Sequence, residues 1–158
     1  MLCSLALVPA LAGCAAEGTA SPGADGFARK HAAGARVAAG AMRTFEDALA
    51  RLQRQPTAAV LAETALAARR AKRRVAPATE WEITENGEEE DLGQAEIEIN
   101  EGADAFLAVI DALRAAQRVP TREAIAGYRS RIARGREQWN EGTRQLWYLA
   151  HVADPPSV

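Results

Sequence analysis

"TREAIAGYRSRIARGREQWNEGTRQLWYLA", residues 121–150, decides the fold. Ile125, Tyr128, Ile132, Gly135, Trp139, Gly142, Leu146 and Leu149 follow one another at alternating steps of three and four. That spacing keeps side chains on one face of an α-helix, and charged or polar residues fill most of the positions between them. Thr121, placed directly after Pro120, has the hydroxyl needed to cap the first turn.

The same period recurs upstream. A helix over 27–54 carries its apolar seam through Ala35, Ala38, Met42, Phe45, Leu49 and Leu52. Pro56 stops it and Thr57 caps the next, which runs through Leu61, Ala65, Ala68 and Val75 until Pro77 ends it. A third helix is carried by Leu92, Ile99, Ala103, Phe106, Ile110 and Leu113 and ends near Arg118. Four such seams joined by short turns predict an all-α fold, an up-down-up-down antiparallel four-helix bundle over 27–153 followed by a tail at 154–158. Composition agrees: 48% apolar but only 5% aromatic residues implies a core of aliphatic side chains and alanines in one domain of 158 residues. A shift of 64 residues lays "QPT" (55–57) on "VPT" (119–121) and Phe45 and Leu49 on Val109 and Leu113. Duplication of a hairpin gives that match, and so do any two amphipathic hairpins with proline turns.

One stretch resists the helical reading. In "PATEWEITENGEEEDLGQAEIEIN" (77–100) Trp81 and Ile83 alternate with acids and Asn86-Gly87 is a turn signal, so a small β-hairpin is conceivable. Because Leu92, Ile99 and Ala103 already keep the third helix's period, residues 78–87 are expected to form an irregular cap. Trp81 and Ile83 would then cover one end of the bundle.

The N-terminus is of another kind. Residues 1–13, MLCSLALVPALAG, hold no charged side chain, and their apolar run is shorter than the roughly 20 residues a bilayer requires. They read as the apolar region of an export signal. Leu11, Ala12, Gly13 and Cys14 resemble the lipobox of bacterial lipoproteins, in which a leucine and two small residues precede the modified cysteine. The resemblance implies cleavage after Gly13 and a diacylglycerol on the Cys14 thiol. It also implies attachment to the cell membrane or the outer membrane, with the chain facing the periplasm or the exterior. Each buried acyl CH₂ contributes about 0.8 kcal/mol, so two or three chains anchor without a spanning helix. Cys3, the other of two cysteines, falls in the discarded signal, leaving no disulfide. Residues 14–26, small, polar and broken by Pro22, read as a flexible tether.

Chemistry is sparse. A net charge of −2 gives no general attraction for nucleic acid. Neither His31 nor His151 has a glutamate three residues before it, as an inward-facing carboxylate metal site in a bundle needs. There is no HExxH, CxxC, GxSxG or phosphate-binding glycine loop. A haem held by Met42 and His151 would have to bridge about 25 Å at 1.5 Å per residue. No cofactor or metal and no catalytic activity are therefore expected.

Two features are candidates for binding. Arg69, Arg70, Arg73 and Arg74, within "RRAKRR" (69–74), complement the dipole at a helix C-terminus and also offer a contact for an acidic partner. "EEED" (88–91) complements the start of the third helix in the same way, or with Glu96 gathers a divalent cation weakly. His31, Trp139 and Trp147 beside Gly142 are expected to ring a small apolar ligand cavity, or else the glycines merely make room for indoles in an ordinary core. The sequence thus points to a lipid-anchored, non-enzymatic binding or structural protein of the bacterial envelope, with a protein partner. The alternative is a sensor or carrier whose ligand lies beside His31.

Overall fold

A computed structural model of the chain describes residues 22–80 and 90–158. Four α-helices account for most of them: α1 (Pro22–Arg54), α2 (Ala58–Val75), α3 (Glu90–Ala115) and α4 (Arg122–Leu149). A 3-10 helix, Ala76–Glu80, leads out of α2. The described residues contain no strand, and the fold is an all-α four-helix bundle.

The turn chemistry acts where the sequence placed it. Thr57 and Thr121 both adopt extended backbone, and their side chains accept hydrogen bonds from Val60 N (3.3 Å) and Ala124 N (3.2 Å). α2 and α4 accordingly begin at Ala58 and Arg122, 64 positions apart as the internal match expects. The first boundary differs from expectation, because residues 22–26, read as the end of a tether, are the opening turns of α1. Proline suits a first helical position: its φ is already helical and the N–H it lacks would have had no partner there. Phe27 and Ala28 then bury themselves in the core. α3 stops at Ala115, a turn before Arg118. Cys14, the tether up to residue 21, and Trp81 and Ile83 with their expected capping role lie outside the described residues.

Each helix packs against two neighbours. α1 lies between α2 and α4, α3 lies between α4 and α2, and α2 does not touch α4. Side-chain pairs give the relative directions. Glu46 meets Arg136 and Gln53 meets Arg129, so α1 and α4 run oppositely. Arg51 meets Glu63, and Thr64 donates to Ala48 O, so α1 and α2 do as well. Most of the predicted seam positions form the core: Met42, Phe45, Leu49, Leu52, Ile99, Phe106, Ile110, Leu113, Ile125, Ile132, Trp139 and Leu146 are all essentially inaccessible. On α2 the buried face is turned by one residue at its start, so that Val60 and Thr64 are buried where Leu61 and Ala65 were expected, and those two are half-buried. Among the described residues no helix is long and apolar enough to cross a membrane.

α3 and α4 share the most extensive contact, and glycine makes it so. A Cβ on Gly102 would fall 2.7 Å from both the Gly135 carbonyl oxygen and Trp139 N. One on Gly142 would fall 2.7 Å from Ala95 O and 2.9 Å from Ile99 N. These distances are below any permitted carbon contact, so the two backbones touch directly. Gly135 and Gly142 thus admit the backbone of α3, where the sequence reading had them admitting indole rings. Ala95 and Gly102 on α3, like Gly135 and Gly142 on α4, stand seven residues apart, which keeps the small residues on one face over two turns.

Residues after α4 also depart from expectation. The segment 154–158, expected as a separate tail, returns to the bundle and buries Pro156. Trp139 Nε1 donates to the Pro156 carbonyl at 2.9 Å.

Candidate functional site

The outward stripe of α2 repeats at helical spacing: Glu63, Leu66 and Ala67, Arg70 and Ala71, Arg73 and Arg74. Together with Ala41 and Thr44 of α1 these residues line a groove of about 800 Å³. Its apolar surface is Ala41, Ala67, Ala71 and the aliphatic body of Leu66, which stays 42% exposed although it is a large apolar residue. Its charged end is Arg70, Arg73 and Arg74, and at the other end Glu63 is held by Arg51 at 2.7 Å. Val37, one turn before Ala41 on α1, extends the exposed apolar surface.

The basic run divides by pairing. Lys72 Nζ sits 2.8 Å from both carboxylate oxygens of Asp111 on α3, and Arg114 reaches the same carboxylate at 3.2 Å. The hydrogen bond from Lys72, helped by both neighbouring charges, holds the Asp111 carboxyl below its usual range. Lys72 therefore joins α2 to α3. Arg69, Arg70, Arg73 and Arg74 are exposed and have no acidic partner among the described residues. Of these four, Arg69 lies off the groove.

Of the residues expected around His31, Trp139 does not lie beside it. Arg136 lies beside Glu46, so Trp139, three residues on, stands level with Arg43, about 18 Å along α1 from His31. Trp147, two turns beyond Trp139, stands level with Ala35, about 6 Å along α1 from His31, and both indoles are fully packed in the core. His31 instead stacks on Phe27, with ring centroids 4.3 Å apart at 28°. Burial, then the nearby Lys30 charge, pushes its pKa below the ordinary histidine value. Trp147 Nε1 is buried without a hydrogen-bond partner among the described residues.

Among the described residues no cluster of three histidine, cysteine or carboxylate side chains is arranged to hold a metal ion. Glu101 is engaged by Gln138 at 2.6 Å, and Glu98 and Asn100 each leave one buried oxygen unbonded. The acidic run 88–91 gives no described side chains, so its expected weak cation site lies outside what can be placed.

The chain matches no protein-family model, no curated protein and no solved structure.

Proposed function

We propose that this protein is an exported, lipid-anchored bundle of the bacterial envelope that binds a partner protein, without catalysis, through the α1–α2 groove. One observation carries the reading. Three arginines with no acidic partner among the described residues rim a groove whose floor is alanine and whose side is an exposed leucine. An amphipathic partner helix with apolar residues at i and i+4 and carboxylates beside them has the matching chemistry. The apolar strip contributes contact area, and the arginines give orientation and attraction at a distance.

The anchor rests on Leu11 to Cys14, and its position favours a protein over a lipid surface as the partner. Ala41, at the groove, lies about 28 Å along α1 from Pro22. With acyl chains on Cys14 only eight residues before that helix, the arginines stand well away from the headgroups when α1 points off the membrane.

The test uses the full chain in its own host cell. A photo-cross-linking residue at Leu66 is expected to capture a discrete protein with an acidic amphipathic segment. The triple change Arg70→Glu, Arg73→Glu, Arg74→Glu should reduce capture about tenfold or more, since exposed pairs contribute about 0.2–1 kcal/mol each and reversal adds repulsion. Capture that ignores the charge reversal refutes the groove. Intact mass of the membrane-extracted protein separately tests the anchor: a mature chain starting at Cys14 without an acyl increment refutes that half.

A further inference from the structure

Arg43, Trp139, Asn140 and Thr143 contact the backbone of residues 156–158. After Leu149 the chain reverses at His151, whose φ of 52° lies in the left-handed region. His151 N donates to Tyr148 O at 3.1 Å and Val152 N to Trp147 O at 3.0 Å, the paired bonds that commonly close a helix over a glycine. Here a histidine takes the glycine's place. Asp154, with φ of 59°, is a second non-glycine residue in the same region. Left-handed backbone is unfavourable for side chains with a Cβ, so this return path is not one the chain takes for its own sake. The two backbone bonds hold the reversal itself, and the contacts at the far end hold the rest of the segment.

That end lies in the seam between α1 and α4, where side chains of the two helices meet the peptide backbone of residues 156–158. Trp139 Nε1 donates to Pro156 O at 2.9 Å. The Thr143 hydroxyl lies 3.3 Å from the same oxygen and 2.8 Å from Trp139 O, to which its single proton mainly goes. Arg43 of α1 donates to Ser157 O. The Asn140 amide brackets Val158: Oδ1 accepts from Val158 N at 2.7 Å, and Nδ2 donates to Val158 O at 3.3 Å. Asn140 thus does for Val158 what a neighbouring β-strand would do. Trp139 and Thr143 are fully buried, so the receptor is built into the core. The ligand's own side chains are used sparingly. Pro156 is buried, Val158 is half-buried and Ser157 points to solvent.

Recognition of this kind does not require a covalent link to α4. We infer that the α1–α4 seam is a docking site for an extended Pro-x-aliphatic segment of a partner protein, which the chain's own residues 156–158 occupy in cis. This is a site separate from the α1–α2 groove and does not rest on it. The Pro155-Pro156 pair favours the extended polyproline conformation before docking, which limits the ordering the ligand must undergo. Tethering gives the internal segment an effective concentration of the order of millimolar, so a partner segment enters when it binds more tightly or when the internal one is displaced.

The test keeps the full chain and displaces the segment with Pro156→Asp and Val158→Asp together. The probe is a fluorescein-labelled synthetic peptide, VADPPSV, corresponding to residues 152–158, followed by anisotropy. Saturable binding to the displaced variant is expected, at least tenfold tighter than to the unmodified chain, whose site is filled. Adding Asn140→Ala should weaken that binding about tenfold, and the probe with aspartate for its second proline should not bind. A displaced variant with the helical circular dichroism of the parent and no saturable binding overturns the proposal, as does equal affinity for the filled and displaced chains. Should the displaced variant fail to fold, a photoreactive group at the probe's last residue is used on the unmodified chain at high peptide concentration. Cross-links within 40–44 and 139–143 then support the site, and cross-links confined elsewhere, or none, refute it.

Discussion

Trp139→Ala is expected to lower the stability of the bundle by about 3–5 kcal/mol, the range for removing a large aromatic side chain from a packed interior. Trp139 is completely buried in the middle of α4, and its backbone is pressed against Gly102 of α3, so α3 cannot move inward to fill the space. The substitution also removes the indole N–H that holds Pro156, releasing residues 156–158 from the α1–α4 seam. Small domains have only about 5–15 kcal/mol in total, so much of the folded-state advantage is lost. At about 2–4 °C per kcal/mol for a chain of this size, the midpoint of thermal unfolding should fall by about 10 °C or more. Trp139→Phe separates the two contributions. It keeps most of the ring volume and loses the hydrogen bond, which by itself is about 0.5–1.5 kcal/mol. Thermal and urea unfolding of both variants by circular dichroism measures the difference. A Trp139→Ala chain within 1 kcal/mol of the parent contradicts this account of the core.

The seam that carries Trp139 was plain in the sequence because burial follows helical period. Ile125, Ile132, Trp139 and Leu146 are all buried, and Thr57 and Thr121 cap the helices they were assigned to cap. The level of one helix against another was less legible. Counting residues from the turns assumes that helices end flush, whereas Gln53 meets Arg129, so the end of α1 lies about six residues inside α4. That offset adds about 9 Å and doubles the distance along α1 between His31 and the level of Trp139, from about 9 to about 18 Å. The arginine run shows the same limit in another form. Helical spacing alone sends Arg70, Arg73 and Arg74 along one stripe and Lys72 elsewhere, yet that Lys72 ends on Asp111, 39 residues away, depends on which helix becomes its neighbour. The docking of 156–158 had no periodic signal. It depends on two left-handed residues that sequence reading assigns to glycine by default, and here they are histidine and aspartate.

Two faces of α1 thus carry the two proposed interactions, with Ala41 and Thr44 toward α2 and Arg43 toward α4. α1 packs its buried face, Ala38, Met42, Phe45 and Leu49, between them. α1 is 33 residues long against 18 in α2, so its first part extends past the end of its hairpin partner. A change in how residues 156–158 sit against Arg43 would act on the same turn of α1 that bears Ala41 and Thr44. The cross-linking and peptide experiments, done on the same variants, report whether occupancy of one face alters the other, as coupling between sites requires.

The glycines provide the sharpest test of the packing, because one substitution has opposite signs at different places. Alanine is favoured over glycine inside a helix by about 1 kcal/mol when nothing else changes. At Gly127, in α4 and exposed, an added Cβ meets nothing within 4 Å, so Gly127→Ala should stabilise by about that amount. At Gly102 and Gly142 the same carbon would lie 2.7–2.9 Å from backbone atoms of the facing helix, which no rotamer change can relieve. α3 and α4 must then separate along their whole contact, loosening Ile99, Phe106, Trp139 and Leu146 together. Overpacking of this kind costs about 1–3 kcal/mol in ordinary cores, and rigid backbone on both sides puts these two positions at the upper end. After allowance for the propensity gain, Gly102→Ala and Gly142→Ala should each destabilise by about 2 kcal/mol. The two ends of the comparison then differ by about 3 kcal/mol, or about 10 °C in the unfolding midpoint. Because both glycines hold one interface open, the double variant should lose less than the sum of the single losses, since the helices need separate only once. Equal midpoints for Gly102→Ala and Gly127→Ala would show that the two helices do not meet backbone to backbone.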